Sequence, residues 1–279
     1  MTLPLFYAED LAAVGLALEG SGPVSAASRS REYLLTGSEG HHAAIVRRIG
    51  PGEQVMLSDG AGLVMHGTVL SPQAEDPRAS LRVRVDGLSQ EPEPSPRLTL
   101  IQALAKDGRD EAAIEAATEL GVDCIIPWQA DRSIVRWKPE RQEKAMAKWR
   151  HVLTSAAKQS RRPRVPGLRP LLDTSALLAS LQQPAGQTAQ ALTAVLHEEA
   201  EQSIPLFLSR SGLGAASAPE IQLCVVVGPE GGMSEREVTG FRTGDSTELV
   251  RLGPQVLRSS TAGPAALAIF AQLLGRWDV

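Results

Sequence analysis

Two cysteines in 279 residues, Cys124 and Cys224, stand far apart, and no CxxC or HxxxH spacing surrounds them or any of the five histidines. That scarcity excludes a disulfide scaffold and a zinc centre, and it predicts a metal-free protein of the reducing cytoplasm. No uninterrupted apolar run approaches the ~20 residues of a membrane-crossing helix, so no membrane partner is expected. The opening "MTLPLFYAEDLAAVGLALEG" has no cationic lead and is broken by Glu9, Asp10 and Gly15, which reads as no secretory signal. The glycine-rich stretch "VVVGPEGGMSERE" (225–237) lacks both the lysine of a P-loop and the GxGxxG spacing of a dinucleotide fold.

What is present is an uneven charge. The net charge is -4, yet Lys138 to Arg169 holds ten Lys or Arg against Glu140 and Glu143, leaving 18 bases and 30 acids elsewhere. Fields of exposed charges fade over about 10 Å in ordinary salt, so the local balance decides whether a polyanion is attracted. A basic face on an acidic protein points to phosphate contacts. In "KQSRRPRVP" four cations fall within seven residues, a density that favours a nearby anion over a merely solvated helix face.

The length suits two domains. Residues 40–88 read as a small antiparallel β module: "VMLSDGAGLVMHGTVL" puts Asp59-Gly60 and Gly62 between two β-rich runs, and "LRVRVDGL" alternates with period two. "SQEPEPSPR" (89–97) packs three prolines into nine residues. The expected division is therefore a first domain over 1–90, a linker over 91–97 and a second domain over 98–279.

Beyond the linker, "LTLIQALA", "RDEAAIEAATELG" and "VDCIIPW" form one βαβ unit, implying a parallel sheet. "PERQEKAMAKWRHVLTSAAKQS" reads as a helix with Ala145, Trp149, Val152 and Ala156 on one stripe. "ALTAVLHEEA" and "IQLCVVVGPEGG" read as strands followed by loops, 176–193 as a helix and surface loop, and "STAGPAALAIFAQLLGRW" as a helix started near Pro264.

Cys224 to Val227 form a buried strand, "GPEGG" a bend, and Ser234 with Glu237 a capping-box pair. Glycines at 228, 231 and 232 allow positive φ and a close ligand approach. A plain tight turn is the alternative. "RLGPQVLRSSTAGPAAL" (251–267) repeats the device, and two such loops at the carboxyl ends of parallel strands are where open α/β sheets bind ligands.

"GPEGG" followed by "LGPxVLRxxTA" resembles the signature of the SPOUT (α/β-knot) methyltransferases, specifically the family that methylates N3 of a uridine in small-subunit (16S) ribosomal RNA. Lys106, Arg109 and Glu111 are similar to that family's "KxxRxE" helix start, followed by "ATELGV", Pro127 and Arg132-Ser133. "AAKQSRRPRVP" resembles its "AAEQSxRxxxP" segment through Gln159, Arg162 and Pro166, and "HAAIVRRIGPGE" its "HxxxVLRxxxG" pattern through His42, Val46, Arg48 and Gly52. Three positions depart from the pattern: Ser260 stands for a usual glutamate, Leu5 for an arginine, and Lys158 for a glutamate.

The resemblance implies an N-terminal PUA-like β-barrel for RNA and a C-terminal domain with a mostly parallel sheet and a trefoil knot. It also implies S-adenosylmethionine as cofactor, 16S rRNA of the small ribosomal subunit as partner, and a homodimer. The cofactor would lie against Leu196, His197, Glu198, Val227, Gly228, Pro229, Gly231, Gly232, Leu252, Gly253, Val256, Leu257, Ser259 and Thr261. Ser259 and Thr261 read equally as N-cap hydroxyls, and His197 as an ordinary loop histidine. Arg258 is the expected cation for negative charge spreading from the uracil N3, and Glu230 a candidate proton acceptor. Arg48, Lys106, Arg109, Arg132, Gln159, Arg162 and Arg164 are the candidate RNA contacts. The competing readings are a non-catalytic RNA-binding or ribosome-assembly factor, a SPOUT enzyme acting on another base, and a nucleotide-dependent enzyme that uses "GPEGG" for phosphates.

Overall fold

The computed structural model describes residues 3–8, 10–11, 32–70, 80–182, 190–212, 221–244 and 246–278. It separates into one unit of Met1–Glu93 with Ala157–Val165 and a second of Pro94–Ala156 with Pro166–Val279. The expected loop after the helix of 174–182 lies at 183–189, outside the described residues.

The first unit carries β1 (Leu5–Tyr7), β2 (Glu32–Leu35), a short helix α1 (Gly37–His41) running into a π-type turn (His42–Val46), then β3 (Gln54–Ser58), β4 (Leu63–Val69) and β5 (Leu81–Gln90). Their sheet follows the order β1-β3-β4-β5-β2. The antiparallel module expected over 40–88 is β3-β4-β5, and β1 joins β3 in parallel, so the whole sheet is mixed. Alternation places Val55, Leu57, Leu81 and Val83 in a core with Phe6, Leu11, Tyr33 and Met65. At the bulge between His66 and Gly67, a Cβ on Gly67 would fall 2.2 Å from Val83 Cγ1 and 2.6 Å from the Arg84 carbonyl, so only glycine fits there. The β3-β4 turn is held by Asp59 Oδ1, which accepts from Ala61 N (2.7 Å) and Leu63 N (3.0 Å), with Gly60 at φ 77°.

Residues 157–165 belong to this unit through specific bonds. Tyr7 Oη donates to Arg162 O (2.7 Å), Ser58 Oγ to Pro163 O (2.7 Å), and Val165 N to Gly60 O (2.9 Å). Lys158 Nζ meets Glu39 at 2.7 Å and lies 5.4 Å from the centre of the Phe6 ring.

The second unit is built on a parallel sheet ordered β12-β10-β11-β6-β7-β8, with β9 also paired to β7. Its strands are β6 (Arg97–Ala103), β7 (Cys124–Gln129), β8 (Gly167–Leu168), β9 (Leu172–Asp173), β10 (Gln190–Leu196), β11 (Ile221–Val227) and β12 (Thr247–Val250). Its helices are α2 (Arg109–Glu119), α3 (Pro139–Gln159, whose last three residues belong to the first unit), α4 (Thr174–Gln182), α5 (Ile204–Arg210), α6 (Glu235–Arg242) and α7 (Ser259–Leu273). The expected βαβ unit is β6-α2-β7. Near-continuous burial along β6 and β11 is the mark of strands covered on both faces.

Two helix details differ from the sequence reading. Along α3 the buried stripe is Met146, Trp149, Leu153 and Ala156, with Ala145 and Val152 half-buried, because an i, i+3, i+7, i+10 register buries the two larger side chains. The C-terminal helix begins at Ser259, and Pro264 lies inside it: Thr261 N and Ala262 N already bond Arg258 O. One residue before Pro264, a Cβ on Gly263 would stand 2.9 Å from Leu100 Cδ1, so glycine sets how closely α7 approaches the sheet.

Candidate functional site

Because β12, β10 and β11 are neighbours and parallel, the loops leaving their carboxyl ends emerge side by side. They enclose a cavity of about 990 Å³ lined by residues 196–199, 227–233 and 250–259, together with Arg109, Arg132 and the exposed face of α6. This is the position at which open α/β sheets hold ligands.

The sequence-designated residues largely converge here. Leu196, His197, Glu198, Val227 through Gly232, Leu252, Gly253, and Val256 through Ser259 all line the cavity, and so do Arg109 and Arg132. Thr261 does not; it is exposed one turn into α7. The N-cap of α7 is Arg258, with no side-chain capping bond, so neither Ser259 nor Thr261 acts as a cap. Reading by motif missed Glu199, Glu235, Arg242 and Arg251, single charges with no pattern of their own.

The glycine turn is locked from several sides. Gly232 sits at φ 69°, and a Cβ on Gly231 would lie 3.3 Å from Arg132 Cβ and from the Arg132 carbonyl. Glu230 Oε1 accepts from Lys106 N (3.3 Å) and from Arg109 Nη1 (3.2 Å). Lys106 is followed by two residues of positive φ, Asp107 (58°) and Gly108 (70°), which turn the chain into α2. Asp110, buried at the start of α2, accepts from Ala105 N and Glu111 N; burial pushes its carboxyl above the usual range.

The capping box of α6 is present: Ser234 Oγ accepts from Glu237 N (3.2 Å) and Glu237 Oε2 from Ser234 N (2.6 Å). Ser234 Oγ also donates to Asp131 Oδ2 (2.7 Å). The Arg236 guanidinium bonds Asp131 as well, and these contacts hold the Asp131 carboxyl below its usual range.

Among the buried side-chain polar atoms of the lining, Ser259 Oγ is without a hydrogen bond. The lining thus combines carboxylates (Glu198, Glu199, Glu235), guanidiniums (Arg242, Arg251, Arg258), bare glycine backbone and apolar Leu196, Val227 and Leu257. Such a surface suits a ligand that carries both signs of charge and a flat hydrophobic part.

The remaining candidates are spread over both units. In the second unit Lys106 and Arg132 are exposed, and Arg132 Nη1 donates to Gly231 O at 3.4 Å. Gln159, which belongs to the first unit, ends α3 and is exposed. In the first unit Arg48 is exposed with φ 52°, and Arg162 is half-buried. Arg164 is held: its Nη2 donates to Glu91 O (2.6 Å), and its guanidinium packs where a Cβ on Gly62 would be, at 2.5 Å. Among the described residues no group of three His, Cys, Asp or Glu is placed to hold a metal, and no helix is long and apolar enough to cross a membrane.

Residues 91–271 match the family model of RNA methyltransferase domains, and residues 35–77 that of RNA methyltransferase PUA domains. The chain is 41% identical over 245 residues to the ribosomal RNA small subunit methyltransferase E of Mycobacterium tuberculosis, covering 88% of each chain. It is 28% identical to the protein of the same name from Bacillus subtilis, covering 85% of this chain and 88% of that one. The Neisseria gonorrhoeae ribosomal RNA small subunit methyltransferase E, crystallised bound to S-adenosyl methionine, superposes with a TM-score of 0.72 at 23% identity over 98% of both chains. A Legionella pneumophila methyltransferase in complex with the same cofactor gives 0.71 at 22% identity, over 98% of both. At these identities the two structures speak to the fold.

Proposed function

The chain belongs to the RNA methyltransferase family, with a PUA domain ahead of a SPOUT-type methyltransferase domain, and from that premise we propose that it transfers the methyl group of S-adenosylmethionine to N3 of a uridine in small-subunit ribosomal RNA. The observation that carries this reading is the convergence of three adjacent strand ends on one cavity walled by glycine backbone and charges of both signs.

The residues present fit S-adenosylmethionine. Its adenosine suits the bare backbone at Gly228, Gly232 and Gly253 and the apolar Val227 and Leu257, its ammonium the carboxylates, and its carboxylate the guanidiniums of the lining. The orphaned Ser259 hydroxyl supplies a buried donor or acceptor that such a ligand would satisfy. When bound, the cofactor supplies an already activated methyl group, so the protein's task is orientation and exclusion of water.

Arg258, exposed at the cavity mouth ahead of α7, is the cation for charge spreading onto the uracil carbonyls as N3 loses its proton. Glu230 is the proton acceptor: Oε1 is occupied by Lys106 and Arg109, which leaves Oε2 for the substrate. Arg109, Arg132 and Lys106 in one unit, and Arg48 and Arg162 in the other, are assigned to RNA phosphates. The knotted threading of the second domain, a homodimer and a cytoplasmic location belong to the same reading.

The test is mass spectrometry of small-subunit ribosomal RNA from cells lacking the gene, and of the same RNA after incubation with the purified protein and S-adenosylmethionine. One uridine should lose, then regain, a base methyl that blocks chemical modification of its N3. A vanished methyl on a ribose or a guanine would keep the reaction class and overturn the substrate.

A further inference from the structure

Glu237 has no accessible surface, although a capping box needs only a glutamate that reaches back to its own N-cap. Its second oxygen leaves the helix. Oε1 accepts from Asp131 N (2.7 Å) and from Thr174 Oγ1 (2.7 Å), and Trp128 Nε1 in turn donates to Thr174 Oγ1 (3.3 Å). One buried carboxylate therefore joins the glycine turn before α6, the loop after β7 and the first residue of α4. Burying a carboxylate costs several kcal/mol unless donors converge on it, and here three do.

Next to this junction, Asp131 is followed by Arg132, whose Cβ and carbonyl lie against Gly231 and whose guanidinium donates to the Gly231 carbonyl. Ser133 Oγ fixes the far side of the same loop on Leu104 O (3.2 Å), and Arg136 Nη2 bonds Asp131 O (2.9 Å). With Ser234 N and Asp131 N bonded to the two oxygens of one carboxylate, a shift of the turn is passed to the loop that carries Arg132. A ligand that prefers one arrangement of the turn thereby selects one placement of the arginine.

We propose that Glu237 is a positioning residue that couples occupancy of the glycine turn to the placement of Arg132, so that cofactor and RNA bind cooperatively. This rests on the cavity being the cofactor site and on Arg132 facing RNA.

The experiment measures affinity of the full-length protein for an unmodified small-subunit rRNA transcript, by fluorescence anisotropy at fixed salt, with and without saturating S-adenosylhomocysteine. Calorimetry gives the reciprocal affinity. Wild type is expected to bind RNA about tenfold more tightly when loaded, with the same factor for the cofactor product in the presence of RNA. In Glu237→Gln the factor should fall below about twofold, and likewise in Arg132→Ala, an exposed position that carries the test should Glu237→Gln fail to fold. A purely structural role for Glu237 would lower thermal stability and both affinities while leaving the factor intact, and that result would overturn the proposal, as would the absence of coupling in wild type. Failure of wild type to bind S-adenosylhomocysteine at all would instead sink the underlying assignment of the cavity, and the coupling with it.

Discussion

Arg109 Nη1 donates to Glu230 Oε1 at 3.2 Å, so an arginine at the start of α2 grips the one acid of the glycine turn, 121 residues further along the chain. The pair is one-third exposed on the arginine side and less on the glutamate side, which makes it a modest contributor to stability and a firm constraint on geometry.

That geometry makes Glu230 testable as the proton acceptor. Glu230→Gln preserves shape and the acceptor for Lys106 N but removes the base. At saturating cofactor and RNA, kcat should fall by about 100-fold or more, with S-adenosylhomocysteine affinity within about threefold of wild type. Single-turnover methylation checks this. A variant with unchanged kcat and a weakened cofactor affinity would reduce Glu230 to a clasp for the turn.

Arg276 follows α7 and closes a bidentate pair with Asp123: Nη1 meets Oδ2 at 2.5 Å and Nη2 meets Oδ1 at 3.2 Å. The same guanidinium donates to Pro96 O and Gly121 O, and Asp123 Oδ2 also accepts from Leu98 N. Both side chains are largely buried, so Arg276→Ala leaves a carboxylate in the core and should cost about 3–5 kcal/mol. Denaturant unfolding should show a lowered midpoint with an unchanged slope, and Tm should drop by roughly 10 °C.

Cys224 lies inside β11, where burial pushes its thiol up to about 12; Cys124, one strand beyond β6, is raised for the same reason. A raised thiol pKa keeps the thiolate scarce at neutral pH, and burial blocks access. Titration with a disulfide reagent at pH 8 should find neither sulfur reactive in the native protein and both reactive in denaturant. Fast labelling of either in the native state would show that the sheet opens locally.

Much of this arrangement was legible in the letters. Asp59-Gly60 marked a turn and Ser234 with Glu237 a helix start, because each acts through its nearest neighbours. Glu237's outward bonds to Asp131 and Thr174 were not legible, since they span 106 and 63 residues and a capping box accounts for the same letter. Nor was the attachment of 157–165 to the first unit: its bonds run from Tyr7 and Ser58 to backbone carbonyls, which any sequence supplies. The α3 stripe was read correctly at Trp149 and Ala156 and one position off at Ala145 and Val152, because these are apolar too and packing alone chose Met146 and Leu153.

The basic letters show the same division between what a charge is and what it does. Arg132 and Arg164 look alike in sequence, yet Arg132 is exposed while Arg164 is engaged with Glu91 O and seated on Gly62. A phosphate contact releases about one counterion, so Arg132→Ala should lower RNA affinity and reduce the slope of log K against log salt by about one. Arg164→Ala should leave that slope unchanged and instead lower thermal stability, because the loss falls on the anchoring of residues 157–165. Binding titrations between about 50 and 200 mM salt, the range over which phosphate contacts are strongly screened, measure both slopes. If Arg164→Ala were the one to flatten the salt dependence, its guanidinium would have to leave Glu91 on binding, and the first unit would then rearrange around RNA.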